Sequence, residues 1–439
     1  MKLLSILSMV MVLTMTGSNG FSKKINKTET PPQLKIMHWN IEGGMLHDAQ
    51  GKDLNEDISA VAKIIKCLNP DMVSMVEVHN QAMAKKIAEL IGMHYVYEYA
   101  LPEIQGDAIL SKYPIEKTTK HNLPWKEWEQ RICIDAQINV SGQKVHFYTT
   151  HLTFNGKKDK ESQVIELLNI MKKESGPRIL CGDFNDMDNR PNWYSNTGYI
   201  NLFTGSTIGT LQPSAPKLYD FQRKCSIPEQ VKEKDPCQSL KTDWNPPDTQ
   251  ANTVSQWDPK VRIDHIFLSP DFNLSFPGTY AKAIDTHALI RENKLDINAA
   301  YVSDHRPVFG VVALPQPVAV LKCNPGKQIL KLKVGESATL QIQGEDKYHQ
   351  PVSLWKTDVK TPLNNPSITG RMISSLQWKT DTKMLEITHP DLLAQYNPLV
   401  KKDLLVGDAL QVKALLPGKA VLTISSGAVQ KAIPVEITK

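Results

Sequence analysis

The segment Arg178-Ile179-Leu180-Cys181-Gly182-Asp183-Phe184-Asn185 decides how this chain reads. Arg178 to Cys181 has the pattern of a short strand. It runs into a glycine, a carboxylate and, two residues on, an amide. Alone, Gly-Asp-Phe-Asn has an ordinary explanation as a tight turn, because Asp and Asn are natural turn residues. Five other segments share its build: His38-Trp39-Asn40-Ile41-Glu42-Gly43, Val76-Glu77-Val78, Thr149-Thr150-His151-Leu152, Arg262-Ile263-Asp264-His265 and Ser303-Asp304-His305-Arg306-Pro307. Each follows or closes an apolar strand pattern. Strand ends are where a sheet scaffold can gather side chains from distant parts of a chain onto one rim.

Strands and helices alternate around these segments. Leu34–Trp39, Met72–Val78, Ala108–Leu110, Ile132–Val140, Lys144–Thr150, Arg262–Leu268 and Val308–Leu314 read as strands. Leu54–Leu68, Gln81–Ile91 and Asp159–Lys173 carry helical periodicity; Asn69-Pro70 stops the first, and Gly92 is placed to end the second. From Asn189 to Lys260 the pattern weakens, in the manner of a functional or inserted connection. Pro315-Gln316-Pro317 reads as a boundary. Beyond it, Lys331–Val334, Ala338–Ile342, Lys383–Ile387, Ala420–Ile424 and Ile433–Ile437 are short strand patterns separated by turn residues, which predicts a β-sandwich of immunoglobulin-like type. The expected organisation is a leader over residues 1–20, a catalytic domain over 34–314 and a β-domain over 322–439.

Composition narrows the class. The 439 residues, 41% hydrophobic and 22% charged, exceed what one core usually organises. A net charge of +5 without a basic block is too weak to argue by itself for nucleic acid or membranes. Lys2, the apolar run Leu3–Met15 and the small, polar Thr16–Gly20 have the order of a secretory signal peptide, so a secreted or periplasmic location is expected. No later segment is apolar enough to span a bilayer. Of six cysteines, Cys67, Cys133 and Cys181 lie in apolar patterns and read as core. Cys225 and Cys237 are the candidate disulfide, and no spacing resembles a zinc site.

The chemistry-bearing set is rich in oxygen. Glu77, Asp183, Asp264 and Asp304 are carboxylates, Asn40 and Asn185 are amides, and His151 and His305 exchange protons near neutral pH. Such ligands suit Mg²⁺ or Mn²⁺ better than zinc. A hard cation beside imidazoles suits hydrolysis of a phosphate ester.

In this order, Trp-Asn-Ile-Glu-Gly, a strand-closing Glu, Thr-His-Leu, Gly-Asp-Phe-Asn, Arg-Ile-Asp-His and Ser-Asp-His-Arg-Pro resemble the endonuclease/exonuclease/phosphatase superfamily. Gly106-Asp107-Ala108-Ile109-Leu110-Ser111 followed by Tyr113-Pro114-Ile115 fits as well. The resemblance runs from about Leu34 to Leu314. It implies an α/β fold, specifically a four-layer α/β/β/α sandwich, and metal-assisted phosphoester hydrolysis. It implies Asn40, Glu77 and Asp304 as metal ligands, His305 as general base oriented by Asp264, and Asp183 polarising the nucleophile. Asn185 would contact a phosphate oxygen, and His151 the phosphorane or leaving group. Glu42 matches an additional acidic ligand of some relatives. The acid that supports the imidazole matching His151 in some members is replaced here by Glu129-Gln130-Arg131, so Arg131 is an additional candidate for phosphate. The resemblance leaves the ester open between nucleic acid, a phospholipid head group as in sphingomyelinases, and a small phosphorylated molecule. A monomer is expected. A non-catalytic adhesin on the same fold is the alternative of a different class, and the intact residue set argues against it.

Other residues read as structural. Strand alternation turns His265 away from Asp264; His146, Asp285 and His287 read as bland. Trp125, Trp128, Trp193, Trp244 and Trp257 are expected to anchor loops rather than line a cleft.

Overall fold

A computed structural model of the chain describes residues 31–101, 105–174, 176–186, 198–204, 218–222, 253–269, 271–272, 274, 276, 278–324, 329–352, 354–357, 372–389 and 407–439. The expected leader, the Cys225–Cys237 pair, Trp193 and Trp244 lie outside the described residues.

In chain order the elements up to residue 313 begin with β1 (Gln33–Asn40), β2 (Met45–His47), β3 (Asp53–Glu56), α1 (Ile58–Leu68), β4 (Met72–Val78), α2 (Gln81–Ile91), β5 (His94–Leu101) and β6 (Gln105–Ser111). They continue with β7 (Ile115–Asn122), β8 (Ile132–Val140), β9 (Gln143–His151), α3 (Lys157–Met171) and β10 (Arg178–Asp183). The last are β11 (Tyr219–Asp220), β12 (Asp264–Leu268), β13 (Tyr280–Ala283), α4 (Thr286–Asn293), β14 (Tyr301–Val302) and β15 (Val308–Ala313). One sheet has the order β13-β15-β1-β4-β6-β5 and another the order β11-β12-β10-β9-β8-β7, with a small β14-β2-β3 sheet besides.

Burial follows the alternation along these strands. One apolar cluster joins Ala60, Val61, Ile64 and Ile65 of α1 and Ala84 and Ile87 of α2 to Met37, Trp39, Val73 and Met75. A second draws on both large sheets, through Leu34, Ile36 and Met72 on one side and Ile134, Phe147 and Ile179 on the other. A third joins Val164, Leu167, Leu168 and Met171 of α3 to Cys133, Tyr148 and Leu180. Helix side chains thus pack on Met37, Trp39 and Val73 of one large sheet and on Cys133, Tyr148 and Leu180 of the other.

The topology places the site. β1 and β4 are parallel, as are β9 and β10, while β15 and β12 run antiparallel to β1 and β10. The carboxyl ends of β1, β4, β9 and β10 therefore lie at the same rim as the starts of β12 and β15. Asn40, Glu77, His151 and Asp183 close or nearly close the first four, Asp264 opens β12 opposite Asp183, and His305 lies three residues before β15.

Four expectations need correction. The helix read over Leu54–Leu68 begins only at Ile58, because the Asp57 carboxylate takes the Ser59 and Ala60 N–H groups as an N-cap, and Leu54 lies exposed on β3. β5 and β7 were not foreseen; β7 is polar and exposed, so it carries no apolar signal. Cys67 is half-buried rather than core. Trp125 and Trp128 are 51% and 56% exposed rather than packed into the core, whereas Trp257 behaves as expected, packing on His47 and Tyr301 and over Gly51.

After residue 314 the described chain is β-structure. Val320–Asn324, Ser337–Glu345, Gly407–Ala414 and Leu385–Thr388 form one sheet, with Pro351–Val352 paired to Ser337–Glu345. Leu330–Lys333, Val429–Thr438, Gly418–Ser426 and Leu376–Thr380 form another. Their buried faces share a single apolar cluster running from Leu321 to Ile437. The expected strands are present, together with Val320–Asn324, Leu376–Thr380 and Gly407–Ala414, which the sequence reading missed.

Candidate active site

At the rim, a buried relay stands behind the open groups. His305 Nδ1 lies 2.8 Å from Asp264 Oδ2, and His38 Nε2 lies 3.1 Å from Asp264 Oδ1. His38 Nδ1 meets Ser74 Oγ at 2.9 Å, and Ser74 Oγ meets Thr149 Oγ1. Both oxygens of a fully buried carboxylate are thus taken by imidazoles, one of which, His305, reaches the rim.

Asn40 ties the two sheets together. Its Nδ2 donates to Glu77 Oε1 at 2.9 Å and to Asp183 Oδ2 at 3.1 Å, and lies 3.5 Å from His305 Nε2. Asp183 Oδ1 takes the Asn185 N–H at 2.9 Å. Gly182 is required just before it, since a Cβ there would sit 2.5 Å from the Thr150 carbonyl oxygen. His151 Nε2 meets Asn185 Nδ2 at 3.0 Å and lies 3.6 Å from Asp183 Oδ2. Asn185 is thus the partner of His151. Arg131 is gripped instead by Glu129, through Nε at 2.9 Å and Nη2 at 2.5 Å. Arg131 Nη1, though buried, finds no hydrogen-bond partner among the described residues.

Glu42 joins from the other side. Its Oε2 accepts the Asp304 N–H at 2.8 Å and lies 2.7 Å from His47 Nε2. Asp304 Oδ1 is 3.8 Å from His305 Nε2. Asn40, Glu77, His151, Asp183, Asn185, Asp264, Asp304 and His305 therefore converge. Arg131 stands at the margin, where its charge acts on His151 and Asp107.

Backbone strain concentrates in this set. Glu42, Glu77, Asn185 and Ser303 all have φ between 46° and 63°. Non-glycine residues rarely adopt this region, and where they do the surrounding structure must hold them there. At Glu77 the turn breaks the β4–β6 register between Met75 and Val78, which re-aims the carboxylate toward Asn40.

The charges are crowded. Burial, with the Asp264 charge added, pushes Asp183 up to about 7. Burial and the Asp304 charge push Glu42 up to about 7. Buried Asp107, facing Glu77 and Asp183, rises to about 8 despite Arg131. Burial would also raise Asp264, but His305 and His38 outweigh it and hold its carboxyl well below the usual range. Burial opposes charge on His305, yet Asp264, Asp304 and Asp183 together hold it well above an ordinary imidazole. Burial, with Arg131 and His305 beside it, keeps His151 well below one.

The chain belongs to the endonuclease/exonuclease/phosphatase family. Its residues 37–305 match that family's sequence profile. Members are typically hydrolases acting on phosphate esters, and generally depend on a divalent metal. Similar solved structures include a family protein from Bacteroides thetaiotaomicron, at 19% identity and a TM-score of 0.45, covering 64% of this chain and 95% of that one. A family protein from Beutenbergia cavernae, at 15% and 0.47, covers 92% and 99%. A mannosyl-6-phosphatase from Bacteroides thetaiotaomicron, at 18% and 0.43, covers 64% and 100%.

Among the described residues, Asp183, Asp264 and His305 form a compact group able to approach one cation. The chemistry of the wider rim also fits a hard cation, because three crowded acids, Glu42, Asp107 and Asp183, are forced upward. No helix among the described residues is long and apolar enough to cross a membrane.

Several contributors escaped the sequence reading. His38 had a signal: strand alternation puts it on the face of Asn40, two residues on. Gln256 had none. Its Nε2 reaches the Val302, Ser303 and His305 carbonyls at 2.6, 2.8 and 2.9 Å, and its Oε1 accepts from Thr286 N and Oγ1. It thereby pins the loop that carries Asp304 and His305. Lys160, buried on α3, donates to the Asn185 carbonyl. His265, as expected, faces away from the site and lies against Asp220 and Phe267.

Proposed function

We propose that this chain is a Mg²⁺- or Mn²⁺-dependent phosphoesterase that cleaves a phosphodiester or phosphomonoester by in-line attack of water, with inversion at phosphorus and no covalent intermediate. The observation that carries this reading is the 2.8 Å Asp264–His305 pair opening onto a rim whose acids are pushed toward neutral pH by burial and mutual repulsion.

Asn40, Glu77 and Asp304 would hold the cation. Asp264 is a poorer ligand than its place in the compact group suggests, because both its oxygens are already engaged and it is fully buried. Glu77 and Asp304 keep side chains 28% and 33% exposed. When bound, a hard cation neutralises non-bridging phosphate oxygens and the leaving oxygen. His305 Nε2, once it has given up the proton that Asp264, Asp304 and Asp183 hold on it, takes the proton of the attacking water, while Asp264 fixes the other ring nitrogen as an N–H donor. Asp183, 3.8 Å from His305 Nε2, orients that water. Asn185, beside a His151 kept largely uncharged, donates to a phosphate oxygen, and Arg131 Nη1 supplies a second donor. Glu42 braces Asp304 and stands as an additional ligand.

The apolar clusters support a four-layer α/β/β/α reading of the catalytic domain, residues 34–314. The two C-terminal sheets support an immunoglobulin-like reading of residues 322–439. The Lys2–Gly20 pattern supports a secreted or periplasmic location. Magnesium-dependent release of p-nitrophenol from bis-p-nitrophenyl phosphate tests the reading. Turnover indifferent to a chelator, or unchanged in His305→Ala, would overturn it.

A further inference from the structure

Two large aromatic side chains stand exposed next to the site. Trp125 and Trp128 are 51% and 56% exposed. They lie between β7 and β8, at the rim where Arg131 precedes β8 and His151 closes β9, since Cys133 pairs with Thr150. Trp128 adjoins Glu129, whose carboxylate holds Arg131.

The loop is fixed rather than loose. Asp159, buried in the first turn of α3, accepts the Lys126 N–H at 2.7 Å through one carboxylate oxygen, and the Glu127 and Trp128 N–H groups at 3.0 and 2.8 Å through the other. Gln163, one turn on and also buried, accepts the Thr153 N–H and donates to the Glu129 carbonyl. One helix face thus fixes the tryptophan loop and the segment after His151 to each other. Gly156, at φ 79°, lies under the Trp128 Cβ. A buried carboxylate spent on holding a loop whose tryptophans are left in water is the construction of a preorganised binding surface, not of a core.

We propose that Trp125 and Trp128 form a rigid shelf that takes the face of a ring carried by the organic group of the phosphate ester, so that the preferred substrates are small phosphate esters of a ring-bearing alcohol. This rests on the phosphoesterase reading above, with Arg131 Nη1, buried and without a partner among the described residues, marking the phosphate end. Ring faces stack on tryptophan whether they belong to a nucleobase or to a hexose. The charges around the loop separate this occupant from two others. Lys126 and Glu127 sit between the tryptophans, and Glu127 pairs with Lys158 at 2.9 Å. This mixed-sign surface lacks the basic track a polynucleotide needs. A carboxylate between the rings disfavours insertion into a bilayer.

The test uses the full chain with magnesium and matched nucleoside, hexose and acyclic glycerol phosphates, each as monoester and as methyl diester. The ring-to-acyclic ratio of kcat/KM should fall about tenfold in Trp128→Ala, the loss of one stacking contact, and return largely in Trp128→Phe. The nucleoside and hexose arms show which ring is taken. A wild type that turns over the esters, combined with a ratio that moves less than about twofold in Trp128→Ala and in the Trp125→Ala/Trp128→Ala pair, overturns the shelf and leaves the phosphoesterase reading intact. Binding to phosphatidylcholine vesicles that vanishes in the pair, with the ratio unchanged, overturns it in favour of a membrane contact. No turnover of any ester by the wild type overturns the phosphoesterase reading itself.

Discussion

Replacing Gln256 with alanine should damage both stability and turnover, although this side chain reaches no substrate. Its two amide hydrogens serve three buried carbonyls, of Val302, Ser303 and His305, while its oxygen takes two donors from Thr286. The His305 carbonyl retains Trp39 Nε1 at 2.9 Å, so two carbonyls lose their side-chain donor. Each buried polar group left unsatisfied costs about 1–3 kcal/mol. The carbonyls and the Thr286 donors together therefore set the loss at about 3–5 kcal/mol, a large part of an ordinary domain's stability. The released loop carries Asp304 and His305, so kcat for bis-p-nitrophenyl phosphate should drop about a hundredfold, the scale of a 1 Å misplacement. Gln256→Glu, nearly isosteric, should do worse, because an oxygen would face those carbonyls. Urea unfolding and steady-state kinetics measure both effects. A Gln256→Ala protein within about 0.5 kcal/mol of wild type and fully active would refute the reasoning, since that is the range of a surface substitution.

Asp264→Asn should leave the fold in place but lower kcat about 10³–10⁴-fold, because the imidazole loses its orienting carboxylate; a loss below tenfold would contradict the relay. Asn185→Ala should lower kcat about 10²–10³-fold, as for a donor to developing negative charge, and should also lower the unfolding midpoint, because Asn185 holds buried His151 and the Leu152 carbonyl and sits at φ 46°. A chelator should abolish turnover, and added Mg²⁺ or Mn²⁺ should raise the melting temperature of the stripped protein; an unchanged melting temperature in saturating cation would argue against a site on this rim. Asp220 gives a pH-dependent case away from the site. Burial would raise its carboxyl, but Arg262, bound at 2.9 and 2.7 Å, and His265 outweigh this and hold it far below the usual value. A depressed carboxyl contributes stability that is complete above its unfolded pKa of about 3.9 and is lost as pH falls below that value. Asp220→Asn should thus be about 3–5 kcal/mol less stable at pH 7, the cost of stranding a buried partner, with the gap narrowing below pH 4. A gap constant from pH 7 to pH 3 would count against the pairing.

The sequence by itself determined which polar residues mark the rim and the order of the elements that carry them. The reason is local: α1 and α2 are stopped by signals next to them in the chain, Asn69-Pro70 after the first and Gly92 after the second. The six polar segments announce themselves because each interrupts an apolar run. Where the local signal is weak, the reading failed. β7 shows no apolar alternation because its exposed side chains need none, and the Asp57 cap that shortens α1 competes with a periodicity that continues past it. What tertiary structure alone decided are contacts between groups distant in the chain. His38 and Asp264 are 226 residues apart, and Gln256 clamps a loop nearly fifty residues away. A polar residue bound for a buried partner and one bound for water look alike in one dimension. Asp159 and Trp128 show the difference: the acid is buried, the aromatic is exposed, and only the packing of α3 against the β7–β8 loop makes it so.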